Sequence, residues 1–272
     1  MIIHIEDDFD LQRIADSGQC FRWKALPSGE YRILNGSDCL YIKRLEDACY
    51  EVSCDAAEWE DRWHEYFDFD LNYSSIRAGI NSSEDSFLWR ASQEEKGIRI
   101  LRQDPWEMLI TFIISQNKNI PAIRQSVELL CERYGERRID CRGCAYYAFP
   151  SSAQIAALEE LDLKKCRLGY RWSYVHGAAV AVCDGSLNIK ALQGADEETV
   201  VHTLMSLKGV GIKVANCVSL FGLHHINAFP QDVWVKRIIK TEYPQGYPFE
   251  RYSPYNGIYQ QYMFAYYRHR WG

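Results

Sequence analysis

The period of the apolar residues changes once along this chain, near Asn81, and that change limits the fold more than any other feature. Before it, Cys20-Phe21-Arg22-Trp23, Glu30 to Leu34, Leu40 to Lys43 and Cys49 to Ser53 are short aromatic and β-branched runs. Pro27-Ser28-Gly29 and Asn35-Gly36-Ser37 separate them with turn chemistry, so a strand-rich layer is expected over residues 1–80. Beyond Asn81-Ser82-Ser83-Glu84 the spacing turns helical and stays so, which predicts a helical domain over residues 81–272. The fold class is therefore α+β, mainly α. At 272 residues and 47% hydrophobic composition the chain can bury a substantial core.

Several helix boundaries are written explicitly. Asp104-Pro105-Trp106-Glu107 gives the order of a capping box, with an N-cap acid, a first-turn proline and a glutamate at N3. Trp106, Leu109, Phe112 and Ile113 then share one face, which predicts a buried helix. The polar run Ser115-Gln116-Asn117-Lys118-Asn119 interrupts it. A second helix is expected from Pro121, with Gly135 as its C-cap. Glu197 to Leu207 and Ile212 to Leu223 read as two helical arms joined by a tight turn, and Asp232 as the N-cap of a further helix.

That turn, Leu207-Lys208-Gly209-Val210-Gly211-Ile212-Lys213, is where chemistry concentrates. A glycine turn opening a helix offers backbone N–H groups to a phosphate, and the helix dipole favours the negative charge. Lys213, between Ile212 and Val214, is placed where desolvation and the positive helix end would favour a neutral amine, which is a usable nucleophile. An ordinary solvated lysine fits the same residues. Asp232 reads equally as a simple cap or as a carboxylate that stabilises positive charge on a sugar. The residues alone do not separate these readings.

Other features exclude more than they propose. A net charge of −6 argues against a protein that coats nucleic acid by charge. Local cation clusters remain at Lys164, Lys165, Arg167 and Arg171, at Lys208 and Lys213, and at Lys236, Arg237 and Lys240. Cys141-Arg142-Gly143-Cys144 is a lone CxxC with no second pair, so a plain loop is expected, and His224-His225 is expected to be exposed at a helix end. The ten cysteines form neither a disulfide framework nor an iron–sulfur pattern. Met1 to Asp8 has no basic start and no long apolar run, so no signal peptide is expected, and no run of the sequence reaches the length expected of a membrane span. An intracellular, reducing compartment and a monomer are the expectation.

From about Gly18 to Phe264 the chain resembles the 8-oxoguanine DNA glycosylase/AP lyases of the helix-hairpin-helix (HhH-GPD) glycosylase superfamily, in their bacterial-type form. The resemblance rests on Gly209 to Cys217 followed by Pro230-Gln231-Asp232-Val233, on Ser17-Gly18-Gln19-Cys20-Phe21-Arg22-Trp23, on Leu168-Gly169-Tyr170-Arg171 with Tyr174, and on Gly257, Gln260 and Phe264. It implies an N-terminal antiparallel sheet packed on a helical body, with the lesion pocket between helical subdomains. It implies Lys213 as nucleophile and Asp232 as the catalytic aspartate, with Gly209, Val210 and Gly211 on the DNA backbone. Gly18 would accept from the extra imide hydrogen of the oxidised base, Gln260 would read its Watson–Crick edge, and Phe264 and Cys217 would sandwich the ring. Asn117 would fill the gap in the duplex, Tyr170 would wedge beside the estranged base, and Arg171 would contact it. No cofactor is required, and a structural cation on the hairpin 207–212 is compatible. The partner is duplex DNA containing oxidised guanine.

Two positions depart from the animal members of that family. Ala122 stands where they carry a second arginine that reads the opposite cytosine, which predicts relaxed opposite-base selectivity. Trp234 stands where they carry a phosphate-contacting histidine. A related glycosylase for another damaged base, or a non-catalytic DNA-binding module, is the alternative.

Overall fold

The computed structural model describes residues 1–271. Five strands form one antiparallel sheet in the order β1-β5-β4-β3-β2: β1 Ile2–His4, β2 Trp23–Ala25, β3 Glu30–Asn35, β4 Asp38–Glu46 and β5 Cys49–Val52. Helix α1, Leu11–Asp16, lies between β1 and β2. The β3–β4 hairpin closes through Gly36 at φ +56°, a backbone state that glycine reaches without strain. Two differences from the sequence reading have clear causes. Strand β1 was not anticipated; it pairs Ile2 with Glu51 along the sheet edge. The expected strand from Cys20 is paired only from Trp23, because residues 20–22 are divided between two cores.

Those cores are distinct. One gathers Ile14, Cys20, Trp23, Ile33, Leu40, Ile42, Trp63 and Phe67 beneath the sheet. The other holds Phe21 together with Tyr73, Ile76, Leu88 and the helical body through Tyr267. Residues 56–66, read as part of the strand layer, are instead helical, with a π-turn at Trp59–Trp63 that lays Trp59 and Trp63 against Phe67.

The helices that build the site are α2 Pro105–Ser115, α3 Ile120–Tyr134, α4 Trp172–Cys183, α5 Glu197–Met205, α6 Ile212–Phe221, α7 Val233–Glu242 and α8 Asn256–Trp271. The start of α2 corrects the capping-box reading. Asp104 caps as expected, accepting from the Glu107 N–H at 2.7 Å. Glu107 does not return the bond; it is buried, accepts from the Gly36 N–H at 2.8 Å and pairs with Arg22 at 3.1 Å. Arg22 also donates to the carbonyls of Gly36 and Tyr147. The glutamate therefore ties sheet to helix rather than closing its own cap. Gly135 does terminate α3, but with an extended backbone (φ −79°, ψ 157°). It must be glycine because a Cβ there would sit 2.0 Å from the Ala148 carbonyl oxygen. No helix among the described residues is long and apolar enough to cross a membrane.

Candidate active site

Gly18 is delivered by a segment whose neighbours are all anchored. Gln19 is fully buried and donates to Ser17 Oγ and to the Arg99 carbonyl, each at 2.8 Å, while its Oε1 accepts from the Leu101 N–H. Phe21 turns into the helical core against Phe112, at 5.9 Å between ring centroids. Arg22 reaches Glu107, and Trp23 donates to the Tyr66 hydroxyl at 2.8 Å. With each neighbour fixed to a different layer, Gly18 is held at φ +82°, where a side chain would be strained and would press on Phe264 at 3.2 Å.

The hairpin between α5 and α6 follows the sequence reading, with arms slightly shorter than expected. Gly209 takes φ +85°, and a Cβ there would fall 2.3 Å from the Tyr174 ring. Gly211 caps α6 without a side chain and is exposed, leaving the first N–H groups of the helix open to solvent. Lys213 and Cys217, four residues apart, share one face of α6. The apolar neighbour of the amine is not Ile212, which is 57% exposed, but Phe112, whose ring centroid lies 5.4 Å from Lys213 Nζ. The amine has a loose contact to Ser115 Oγ at 3.5 Å. Burial pushes the Cys217 thiol up, with Lys213 pulling the other way, so beside the lysine the sulfur is an uncharged thiol. Asp232 caps α7 through Oδ1, which accepts from the Val235 N–H at 2.8 Å.

Lys213, Cys217 and Asp232 line one small cavity with Gly18, Gln260 and Phe264. Phe112 and Phe221, stacked at 5.5 Å, close its floor. The Gln260 side-chain amide donates to the Pro230 carbonyl at 3.2 Å and its Oε1 accepts from Gln261 at 3.0 Å. The cavity measures about 60 Å³ and opens into an outer cavity of about 370 Å³ that shares Gly18, Lys213, Asp232 and Phe264. An organic ligand site normally offers roughly 300 Å³ or more. The inner space is thus too small for a purine ring as it stands, and half-buried Phe264 borders both cavities.

Asn117 and Tyr170 meet outside this cavity. Asn117 is exposed at φ +51° and its amide donates to the Tyr170 hydroxyl at 3.0 Å. Tyr170 is half exposed and stands edge-on to Tyr174, the ring that fills the space above Gly209. A contact chain therefore runs from the hairpin through two tyrosines to Asn117. Arg171 is held from within the protein. Its guanidinium is buried and donates to the carbonyls of Gln116, Asn117 and Leu168, so it braces the turn that carries Asn117. Lys118, unremarked in the sequence, reaches the other way and donates to the Arg167 carbonyl at 2.7 Å and to Ser126. Ala122 and Trp234 are both partly buried, and Trp234 borders the outer cavity.

The remaining expectations sort simply. Cys141 and Cys144 are exposed free thiols in the turn between strands β6 (Arg137–Ile139) and β7 (Ala145–Tyr147), where Arg142 pairs with Glu30. His224 and His225 are not exposed: His224 Nε2 lies 3.0 Å from Asp68 Oδ1, and His225 Nδ1 lies 2.8 Å from Ser219 Oγ. No cluster of three metal-ligating side chains occurs among the described residues.

An amine and a carboxylate that line one cavity, beside a glycine hairpin and within a mainly helical body, are the arrangement of the helix-hairpin-helix DNA glycosylases. Residues 1–109 match the model for the 8-oxoguanine DNA glycosylase N-terminal domain, and residues 110–244 match the HhH-GPD superfamily of base excision DNA repair proteins. The chain belongs to the 8-oxoguanine DNA glycosylase family of that superfamily. Its fold superposes with a TM-score of 0.93 on MBOgg1 solved with a low-affinity DNA ligand, at 34% identity over 99% of this chain and 95% of that one. The 8-oxoguanine glycosylase/lyase of Clostridium acetobutylicum, solved with DNA containing cytosine opposite 8-oxoguanine, gives 0.90 at 30% identity over 99% and 98%. The N-glycosylase/DNA lyase of Saccharomyces cerevisiae is 35% identical over 65% of this chain, which aligns with half of that protein's length.

Proposed function

We propose that the protein excises 8-oxoguanine from duplex DNA and then cleaves the strand at the abasic site. The observation that carries this reading is that Lys213 and Asp232 border the same cavity as Gly18, Gln260, Phe264 and Cys217. A base inside a duplex is out of reach of any side chain, so the damaged nucleotide is rotated out of the stack. Phe264 then swings aside, and the ring lies between Phe264 and Cys217. The Gly18 carbonyl accepts the N–H that 8-oxoguanine carries at N7; guanine lacks that hydrogen and leaves the acceptor unpaired, which is the basis of strong discrimination. Asn117 and Tyr170 take the vacated space.

The Lys213 Nζ lone pair attacks the anomeric carbon, and the bond to the base breaks with its electron pair leaving on the base. Asp232 stabilises the positive charge that develops on the sugar. Loss of a proton from the amine frees its lone pair to form the C1′=N bond of a Schiff base as the C1′–O4′ bond breaks and O4′ takes up a proton; removal of a C2′ proton then forms the C2′=C3′ bond and expels the 3′ phosphate, which leaves with the C3′–O electron pair. A cation on the hairpin fits the carbonyls of Gly209 and Val210, which accept no backbone hydrogen bond among the described residues. Its role would be structural, and no step depends on it.

The alternative, a glycosylase for another damaged base on the same scaffold, is tested by single-turnover release from duplexes carrying 8-oxoguanine, thymine glycol or 3-methyladenine. Fast release of 8-oxoguanine alone supports the reading, and preference for either other lesion contradicts it. Selectivity for the opposite base is relaxed because Ala122 brings no donor. Ala122→Arg is expected to raise the preference for cytosine over adenine opposite the lesion by about 1–3 kcal/mol.

A further inference from the structure

Arg268 and Arg124 both reach the segment that carries Gly18. Arg124, on α3, donates through Nη2 to the Ala15 carbonyl at 2.8 Å. Arg268, near the end of α8, donates through Nη2 to the Asp16 carbonyl. These are the last carbonyls of α1, which have no partner within their own helix and favour a cation. Arg268 does more than cap. Its guanidinium carbon stands 5.4 Å from the Phe264 ring centroid, and its Nη1 lies 3.4 Å from where a Cβ on Gly18 would be. It therefore lies beside both groups that are to read the base: the segment that carries the Gly18 carbonyl, which it holds through Asp16, and the Phe264 ring one helical turn away. Nη1 is also buried with no hydrogen-bond partner among the described residues. Arg124 Nε is likewise buried without a partner among the described residues, so both guanidinium groups are only partly satisfied where they meet the Gly18 segment. Burial correspondingly pushes the Arg268 pKa down from the ordinary arginine value.

We infer that Arg268 is a positioning residue for base recognition, holding the Gly18 segment and the Phe264 ring in register while taking no part in the chemistry at the sugar. This rests on the glycosylase reading above. It separates two halves of the reaction: release of 8-oxoguanine needs the recognition register, whereas incision of a preformed abasic site has no base to recognise and needs only Lys213 and the sugar.

The test compares both substrates with wild-type protein, Arg268→Met and Arg268→Lys. For Arg268→Met, release of 8-oxoguanine is expected to slow about tenfold or more, the size of a lost charge-assisted hydrogen bond, while incision at a preformed abasic site stays within about twofold. Arg268→Lys, which keeps one donor and the cation over the ring, is expected to recover part of the loss. Parallel losses on both substrates, or none on either, overturn the inference. If Arg268→Met does not fold by thermal melting, Arg268→Lys decides the matter by the same ratio. A wild-type protein that incises abasic sites but never releases 8-oxoguanine overturns the underlying reading, and the inference with it. That outcome is distinct from an active wild type whose variants show no selective loss.

Discussion

Lys213 owes its setting to residues far from it in sequence: Phe112 beneath the amine, Ser115 beside it and Asp232 across the cavity. The local run Ile212-Lys213-Val214 suggested desolvation by its own neighbours, but Ile212 faces out and the apolar surface comes from α2. Cys217 shows the complementary point. Its burial raises the thiol pKa, so a thiolate, the reactive form, is scarce at neutral pH. With native protein at pH 7.5, iodoacetamide is expected to label Cys141, Cys144 and Cys183, which are exposed, and to spare Cys217. Peptide mass spectrometry reads the result, and rapid labelling of Cys217 would contradict the buried setting of its thiol. The three carbonyls that hold the Arg171 guanidinium were not legible, because they come from Leu168 and from the distant turn at Gln116 and Asn117.

At the scale of elements, the hairpin, the Asp104 cap and the helix opened by Asp232 were legible because each rests on contacts a few residues apart. Glu107 and His224 were misread because their partners lie far along the chain. His224, just past α6, contacts Asp68, which also pairs with Arg102 at 2.9 Å and accepts from Tyr73 at 2.8 Å. Burial would raise the Asp68 carboxyl, but His224, Tyr73 and Arg102 together hold it below its ordinary 3.8. A carboxylate depressed in the folded state contributes stability above its unfolded pKa and loses it as pH falls through the folded value. Asp68→Asn is therefore expected to lose about 2–3 kcal/mol at pH 7. The deficit relative to wild type should shrink below about pH 4. Urea unfolding at both pH values checks this, and a deficit independent of pH would contradict it.

For the whole molecule, the sheet and helical body act as one recognition unit because the segment from Gly18 to Trp23 is shared between their cores. The net charge of −6 sets how that unit meets DNA. A small footprint at the hairpin and around Tyr170 implies few released counterions, at roughly 0.9 per neutralised phosphate. The slope of log K against log salt on duplex DNA is expected to be shallow, about −2 to −4, by fluorescence anisotropy. A slope near −8 would point to a broad basic surface that the sequence does not contain. That a sheet precedes a helical body was visible in the change of apolar period, although the run of helices after the sheet begins at Ala56 rather than near Asn81; the inner cavity was not, since it depends on how Phe264, Gln260 and Phe112 meet in three dimensions. The most direct measurement is covalent trapping with borohydride on a duplex containing 8-oxoguanine. Wild-type protein is expected to give a stable protein–DNA adduct and Lys213→Gln none; the absence of an adduct with wild type, or its persistence in Lys213→Gln, would contradict Lys213 as the nucleophile.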